Sequence, residues 1–145
     1  MSFNKKLVLI TGASSGIGAA LAYECAKKGS DLVLVARRAD KLKELKNKIQ
    51  SEFQNKIYLF PHDLSQLDEI DKLFIEIKES KLLIQVLINN AGIGKYGAFT
   101  SFSLNDHIKT INLNISSLTA MTYHMINHMR EHNLDSSISN VSSTA

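Results

Sequence analysis

Lys6-Leu7-Val8-Leu9-Ile10-Thr11-Gly12-Ala13-Ser14-Ser15-Gly16-Ile17-Gly18 runs directly into Ala19-Ala20-Leu21-Ala22-Tyr23-Glu24-Cys25-Ala26-Lys27-Lys28. An apolar, β-type run thus ends in a turn of three glycines and continues as a helix-forming segment. Glycine lets the backbone take positive φ and approach a ligand with no Cβ in the way. The helix it opens offers free N–H groups and the positive end of its dipole, which together suit a pyrophosphate. The spacing separates the kinds of phosphate loop. A mononucleotide loop of the Walker type needs Gly-x4-Gly-Lys-Ser/Thr, and here Gly16 is followed by Ile17 and Gly18 with no lysine. The common dinucleotide fingerprint is Gly-x-Gly-x-x-Gly; Gly12, Gly16 and Gly18 carry the same parts as Gly-x3-Gly-x-Gly.

Outward from this loop, short apolar runs alternate with longer amphipathic ones, the pattern of β-α-β units around a parallel sheet. Strands are expected over residues 6–10, 32–36, 57–60, 86–88 and 137–141, and helices over 16–28, 40–53, 66–79 and, as one long element, 103–131. Right-handed crossovers favour the order 3-2-1-4-5 for five such strands, with ligands at the carboxyl ends of strands one and four. Gly29 is expected as the C′ residue of the first helix, and Ser65 with Asp68 as a capping box for the third.

Composition narrows the class. The 145 residues, 44% of them apolar and 21% charged, suit one globular domain over residues 1–145. The net charge of +3 is mild, and the lysines between Lys41 and Lys48 are dispersed along a helical face, which argues for solvation and against a nucleic-acid partner. No stretch approaches the ~20 apolar residues that span a bilayer. The apolar run after Lys5-Lys6 is cut at Thr11-Gly12, short of a secretory h-region. The single Cys25 has no disulfide partner and reads as core filler. A cytoplasmic location, without membrane attachment, is the expectation.

About seventy residues after Thr11-Gly12-Ala13-Ser14-Ser15-Gly16-Ile17-Gly18 stands Asn89-Asn90-Ala91-Gly92. Together, in that order, the two motifs resemble the short-chain dehydrogenase/reductase family, NAD(P)-dependent oxidoreductases on a Rossmann-type, doubly wound α/β sheet. The resemblance continues through Ile111-Asn112 to Ser139-Asn140-Val141-Ser142-Ser143, near the last residue, Ala145. It implies that Gly12, Ser14, Ser15, Gly16, Ile17 and Gly18 hold a dinucleotide, with Asn90, Ala91 and Gly92 lining it. It also implies that Asp63 and Leu64 meet the adenine. Where an NAD-specific site would carry an acid on the adenosine ribose, this chain has Ala36-Arg37-Arg38. A guanidinium forks onto a 2′-phosphate, whereas a carboxylate repels it, so NADP(H) is expected over NAD(H), through Arg37 first and Arg38 second.

The catalytic roles are likewise implied by the family. Asn112 matches the asparagine that holds a relay water, and Ser143 the serine that hydrogen-bonds a substrate carbonyl; Asn114 and Ser142 lie one or two positions away. Exposed polar placement is the simpler reading of Asn114. In relatives a Tyr-x3-Lys follows the serine by about a dozen residues. Here the pattern occurs only at Tyr23 and Lys27, inside the first helix. The chain is therefore read as the amino-terminal part of the fold, truncated before the last strands. These 145 residues alone are expected to bind NADPH weakly and to lack turnover. The expected substrate is a small carbonyl/alcohol pair, and the expected assembly of the full-length protein a homo-oligomer. The alternative is a nucleotide-binding module without catalysis. His124, His128 and His132 recur every fourth residue, but no Glu or Cys completes a metal set, so a half-exposed face or a subunit contact is expected instead.

Overall fold

The computed structural model describes residues 5–142. Its elements, in order, are β1 (Leu7–Thr11), α1 (Gly16–Lys27), β2 (Asp31–Val35), α2 (Ala39–Gln50), β3 (Ile57–Phe60), α3 (Leu67–Glu79), β4 (Val86–Asn89), α4 (Leu104–Ile111), α5 (Ser117–Arg130) and β5 (Ser137–Asn140). A short 3₁₀ turn at Phe99–Ser101 precedes α4, and a π-helical turn at Asn112–Ser116 joins α4 to α5. All strand pairings are parallel, in the order β3-β2-β1-β4-β5.

Alternation along each strand sends side chains to two separate cores. Val8, Ile10, Leu32, Leu34, Val86 and Ile88 pack with Ala22, Cys25 and Ala26 of α1 and with Leu42 and Ile49 of α2. On the other face Leu9, Val33, Val35 and Leu87 meet Ile70, Leu73 and Ile77 of α3 and Met121 and Met125 of α5. Strands covered on both faces read as continuous apolar runs, as in other parallel sheets.

Gly29 takes φ +83°, its N–H donating to Ala26 O and that of Ser30 to Cys25 O, which completes a Schellman cap on α1. Cys25 is buried, as core filler should be. Two expectations need correction. The helix expected over 103–131 is interrupted by the π turn. The capping box expected at Ser65 and Asp68 does not form. Ser65 turns back instead, donating its N–H (3.1 Å) and hydroxyl (2.8 Å) to Asp63 Oδ1, and α3 starts after Gln66 without a side-chain cap. A capping box of the same spacing forms at Ser103 and Asp106, at the start of α4.

The three histidines on and just after α5 have partners inside the chain. His124 Nε2 lies 2.9 Å from Asp71 Oδ1, His128 Nε2 accepts from Ile84 N–H, and His132 Nε2 lies 3.1 Å from Ile84 O. They fasten α5 to α3 and to the approach to β4. Burial, and then the neighbouring His132, hold the pKa of His128 below the usual range. No group of three or more potential metal ligands occurs among the described residues, and no helix among them is long and apolar enough to cross a membrane.

Candidate dinucleotide site

Because all strands run the same way, their carboxyl ends share one edge of the sheet. The turn after β1 and the turn after β4 meet there, where the strand order reverses. Thr11 joins them. Its Oγ1 accepts from the backbone N–H of both Asn90 and Ala91, each at 2.9 Å. In return, the Asn90 side-chain amide donates to Thr11 O at 3.0 Å and to Gly12 O at 3.4 Å.

This crossing leaves no room for side chains at two glycines. A Cβ on Gly18 would fall 2.3 Å from Gly12 O and 2.6 Å from Asn90 Nδ2; one on Gly12 would fall 2.8 Å from Ala91 Cα, and Gly12 also takes φ +66°. Gly16 is required by conformation instead: φ is +55°, and a Cβ there would meet nothing. No acidic residue occupies the first turn of α1, and Ser15 forms no side-chain cap, so the helix presents its N–H groups uncapped by side chains.

A cleft of about 450 Å³ opens over this edge. Gly12, Ser14 and Ser15 form one wall, Arg37 and Arg38 the next, then His62 to Gln66, Ala91 to Ile93, and finally Lys109, Asn112 and Leu113. Of the residues singled out from sequence, Gly12, Ser14, Ser15, Arg37, Arg38, Asp63, Leu64, Ala91, Gly92 and Asn112 are therefore brought together. Gly18 and Asn90 act from behind the wall, Gly16 and Ile17 stand at the start of α1, and Ser143 lies outside the described residues.

The two arginines divide the cleft between them. Arg38 Nη2 donates to Ser14 Oγ at 3.1 Å and Ser15 Oγ at 2.9 Å, which puts its guanidinium on the glycine loop. Arg37 faces the opposite wall, Nη1 lying 3.8 Å from Asp63 Oδ2. Asp63 thus has both oxygens engaged: one accepts from Ser65 and the other faces Arg37.

Sequence reasoning missed several contributors. Asn114, read as exposed polar placement, makes a two-point clasp: its Oδ1 accepts from Ile93 N–H at 2.9 Å and its Nδ2 donates to Ile93 O at 2.8 Å. The segment beyond Ile93, around Gly94 and Gly97, is fastened again farther on. Lys95 pairs with Asp106 at 2.7 Å, and the His107 ring stacks on Phe99 at 4.0 Å. Asp106 also accepts from the Ser103 hydroxyl, and the Lys95 ion pair, followed by the Ser103 bonds, pulls its pKa down to about 2. Lys109 and Leu113 reach the cleft because they share a helical face with Asn112, a spacing visible in the sequence. Tyr23 lies elsewhere, its hydroxyl bonded to Glu52 and its ring edge-on to Phe53.

Comparison with known proteins agrees with this geometry. The family described as short chain dehydrogenase matches residues 6–145. The chain is 38% identical over 127 residues to an 11-beta-hydroxysteroid dehydrogenase-like protein 2 of Arabidopsis thaliana, covering 87% of this chain and 41% of that protein. It thus spans about two-fifths of the length of that curated relative. Among solved structures, a metagenomic short-chain oxidoreductase in complex with NADP superposes with a TM-score of 0.90 at 27% identity, covering 100% of this chain and 65% of the other. A short chain dehydrogenase/reductase from Burkholderia phymatum in complex with NAD gives a TM-score of 0.87 at 26% identity, covering 97% and 50%. With its glycine turn crossing the Asn-Asn-Ala-Gly turn at the switch point of a parallel sheet, this chain belongs to the short-chain dehydrogenase family.

Proposed function

We propose that this chain is the NADP(H)-binding part of an oxidoreductase that passes hydride between NADP(H) and a small-molecule carbonyl/alcohol pair. The observation that carries the NADP(H) preference is the arginine pair. Where a ribose-binding acid would stand, Arg37 and Arg38 border the cleft, and Arg38 is already aimed along Ser14 and Ser15. The residues fit the group: the space where a Cβ on Gly16 would stand is open, and the first turn of α1 is free of acid. The nicotinamide, when bound, supplies or accepts the hydride. In this reading the chain's own part is to bind the diphosphate at the start of α1, to grip a 2′-phosphate through Arg38 with Arg37 beside it, and to set the adenine against Asp63 and Leu64. Asn112 would hold a relay water and Ser143 would polarise a substrate oxygen, roles that rest on the family resemblance.

Self-association belongs to the same reading. Leu104, Ile108, Ile111, Ile115 and Ile126 are exposed along α4, the π turn and α5, which supports a homo-oligomer. The direct test of cofactor choice is Arg38→Ala measured with both dinucleotides. Hydrogen bonds to charged groups are worth ~1.5–3 kcal/mol, so NADPH affinity should fall about 10- to 100-fold while NADH affinity changes little. Equal losses for both would remove the 2′-phosphate role.

A further inference from the structure

We infer that His62 is a positioning residue: a two-donor imidazolium ties the wall formed by His62, Asp63 and Leu64 to α3, and the wall loosens when that proton leaves. His62 stands two residues after the end of β3 and is only 7% exposed, yet both of its ring nitrogens face carboxylates of α3. Nδ1 lies 2.9 Å from Glu69 Oε2 and Nε2 lies 3.2 Å from Glu76 Oε1. A carboxylate only accepts, and a neutral imidazole has a single N–H, so the neutral ring satisfies one of these contacts and sets a lone pair against a lone pair at the other. The imidazolium donates to both.

The surroundings keep the acceptors ionised. Lys72 lies 2.6 Å from Glu69 Oε1 and 3.1 Å from Asp68, and this ammonium, followed by His62 itself, holds the Glu69 carboxyl below its usual range. On the cleft side the charged neighbours are Asp63, which follows in the chain, and Arg37, paired with it across the opening. The backbone around His62 has few other anchors: its N–H reaches back to Phe60 O, the Gln66 N–H at the start of α3 donates to Asp63 O at 3.1 Å, and the Ser65 turn is internal to the segment. The ring is therefore the side-chain tie from the cleft wall to the middle of α3, beyond the backbone bond at its first turn.

The consequence for binding rests on the dinucleotide reading above; the tie itself does not. The two are separated by a two-part experiment on the ¹⁵N-labelled chain, as wild type and as Glu76→Gln. Glu76 is half exposed, and a glutamine there can donate to a neutral ring or accept from it. In the first part, ligand-free, long-range ¹H–¹⁵N spectra follow the His62 ring while amide shifts follow Asp63, Leu64 and Ser65 across about pH 5–8. Two protonated ring nitrogens at the acid end, with the three amides titrating at the same midpoint in wild type and not in Glu76→Gln, is the expected result. Amides that ignore the His62 midpoint overturn the tie.

In the second part NADPH affinity is measured at each pH as a wild-type to Glu76→Gln ratio, which cancels the ionisation of the 2′-phosphate near about pH 6. The ratio should turn several-fold against wild type as pH rises. A constant ratio overturns the link to binding. Absence of NADPH binding to either protein at any pH overturns the cofactor reading and this link together, while the first part still decides the tie.

Discussion

Thr11 joins the two turns of the site, because one hydroxyl accepts from two backbone donors. With Thr11 only 2% exposed, replacing Oγ1 by a methyl in Thr11→Val keeps the volume but strands the N–H groups of Asn90 and Ala91. A buried donor left without a partner costs about 1–3 kcal/mol, so Thr11→Val should lower unfolding stability by about 2–4 kcal/mol, while Thr11→Ser, which retains the acceptor, should cost less than half of that. Urea denaturation of the two variants checks this, and equal losses would mean that packing, not the hydroxyl, is what matters. Arg38 illustrates a different lesson at this scale. Its place after β2 is legible in the sequence; its reach to Ser14 and Ser15 is not. Which of two adjacent arginines lies along the glycine loop depends on the backbone direction leaving the strand, and Ser14 and Ser15 are more than twenty residues away in sequence.

Among the elements, the α4–π–α5 assembly carries what sequence periodicity could not resolve. A single helix was expected, and the π turn inserts at Asn112–Ser116, where the helix gives up regular bonding while Asn114 clasps Ile93. Two asparagines in a helical stretch are poor helix formers, and that was the only local sign. Capping shows the same limit. Ser-x-x-Asp occurs at Ser65 and at Ser103, but only the second forms a box, because Asp63 stands two residues upstream of Ser65 and captures its hydroxyl first.

Asn114→Leu should free the segment after Ile93. Its two hydrogen bonds are each worth about 0.5–1.5 kcal/mol, so amide exchange at Ile93 should accelerate by roughly an order of magnitude with little change in global stability. Unchanged exchange there would mean that the Lys95–Asp106 pair alone holds the segment.

That pair has its own pH signature. The Asp106 carboxyl sits at about 2 when folded, below its unfolded value of about 3.9, so its contribution is full above about pH 4 and disappears as pH falls toward 2. The stability gap between wild type and Asp106→Asn should therefore close over that window in acid denaturation profiles. A gap of constant size down to pH 2 would show that Asp106 acts through its shape alone.

For the molecule as a whole, strand order and the meeting of two distant turns were legible because both follow from general rules. Apolar runs alternating with amphipathic ones give a parallel sheet, and right-handed crossovers place β1 beside β4. The glycines at 12 and 18 were legible as a tight turn between strand and helix, although their packing reason, the approach of Asn90 and Ala91 from a segment about seventy residues on, belongs to the tertiary structure. The finer features, Arg38 on the serines and His62 between two glutamates, depend on side chains converging from separate elements. Local patterns do not encode such convergence.

Cofactor choice is the claim on which the functional reading stands. The most direct measurement is the dissociation constant of this chain for NADPH and for NADH in the same buffer at one stated ionic strength, by titration calorimetry. The expected result is binding of both, with NADPH favoured by about tenfold or more, the worth of one charge-assisted contact to the 2′-phosphate. Equal affinities, or a tenfold preference for NADH, would contradict the assignment of the arginine pair.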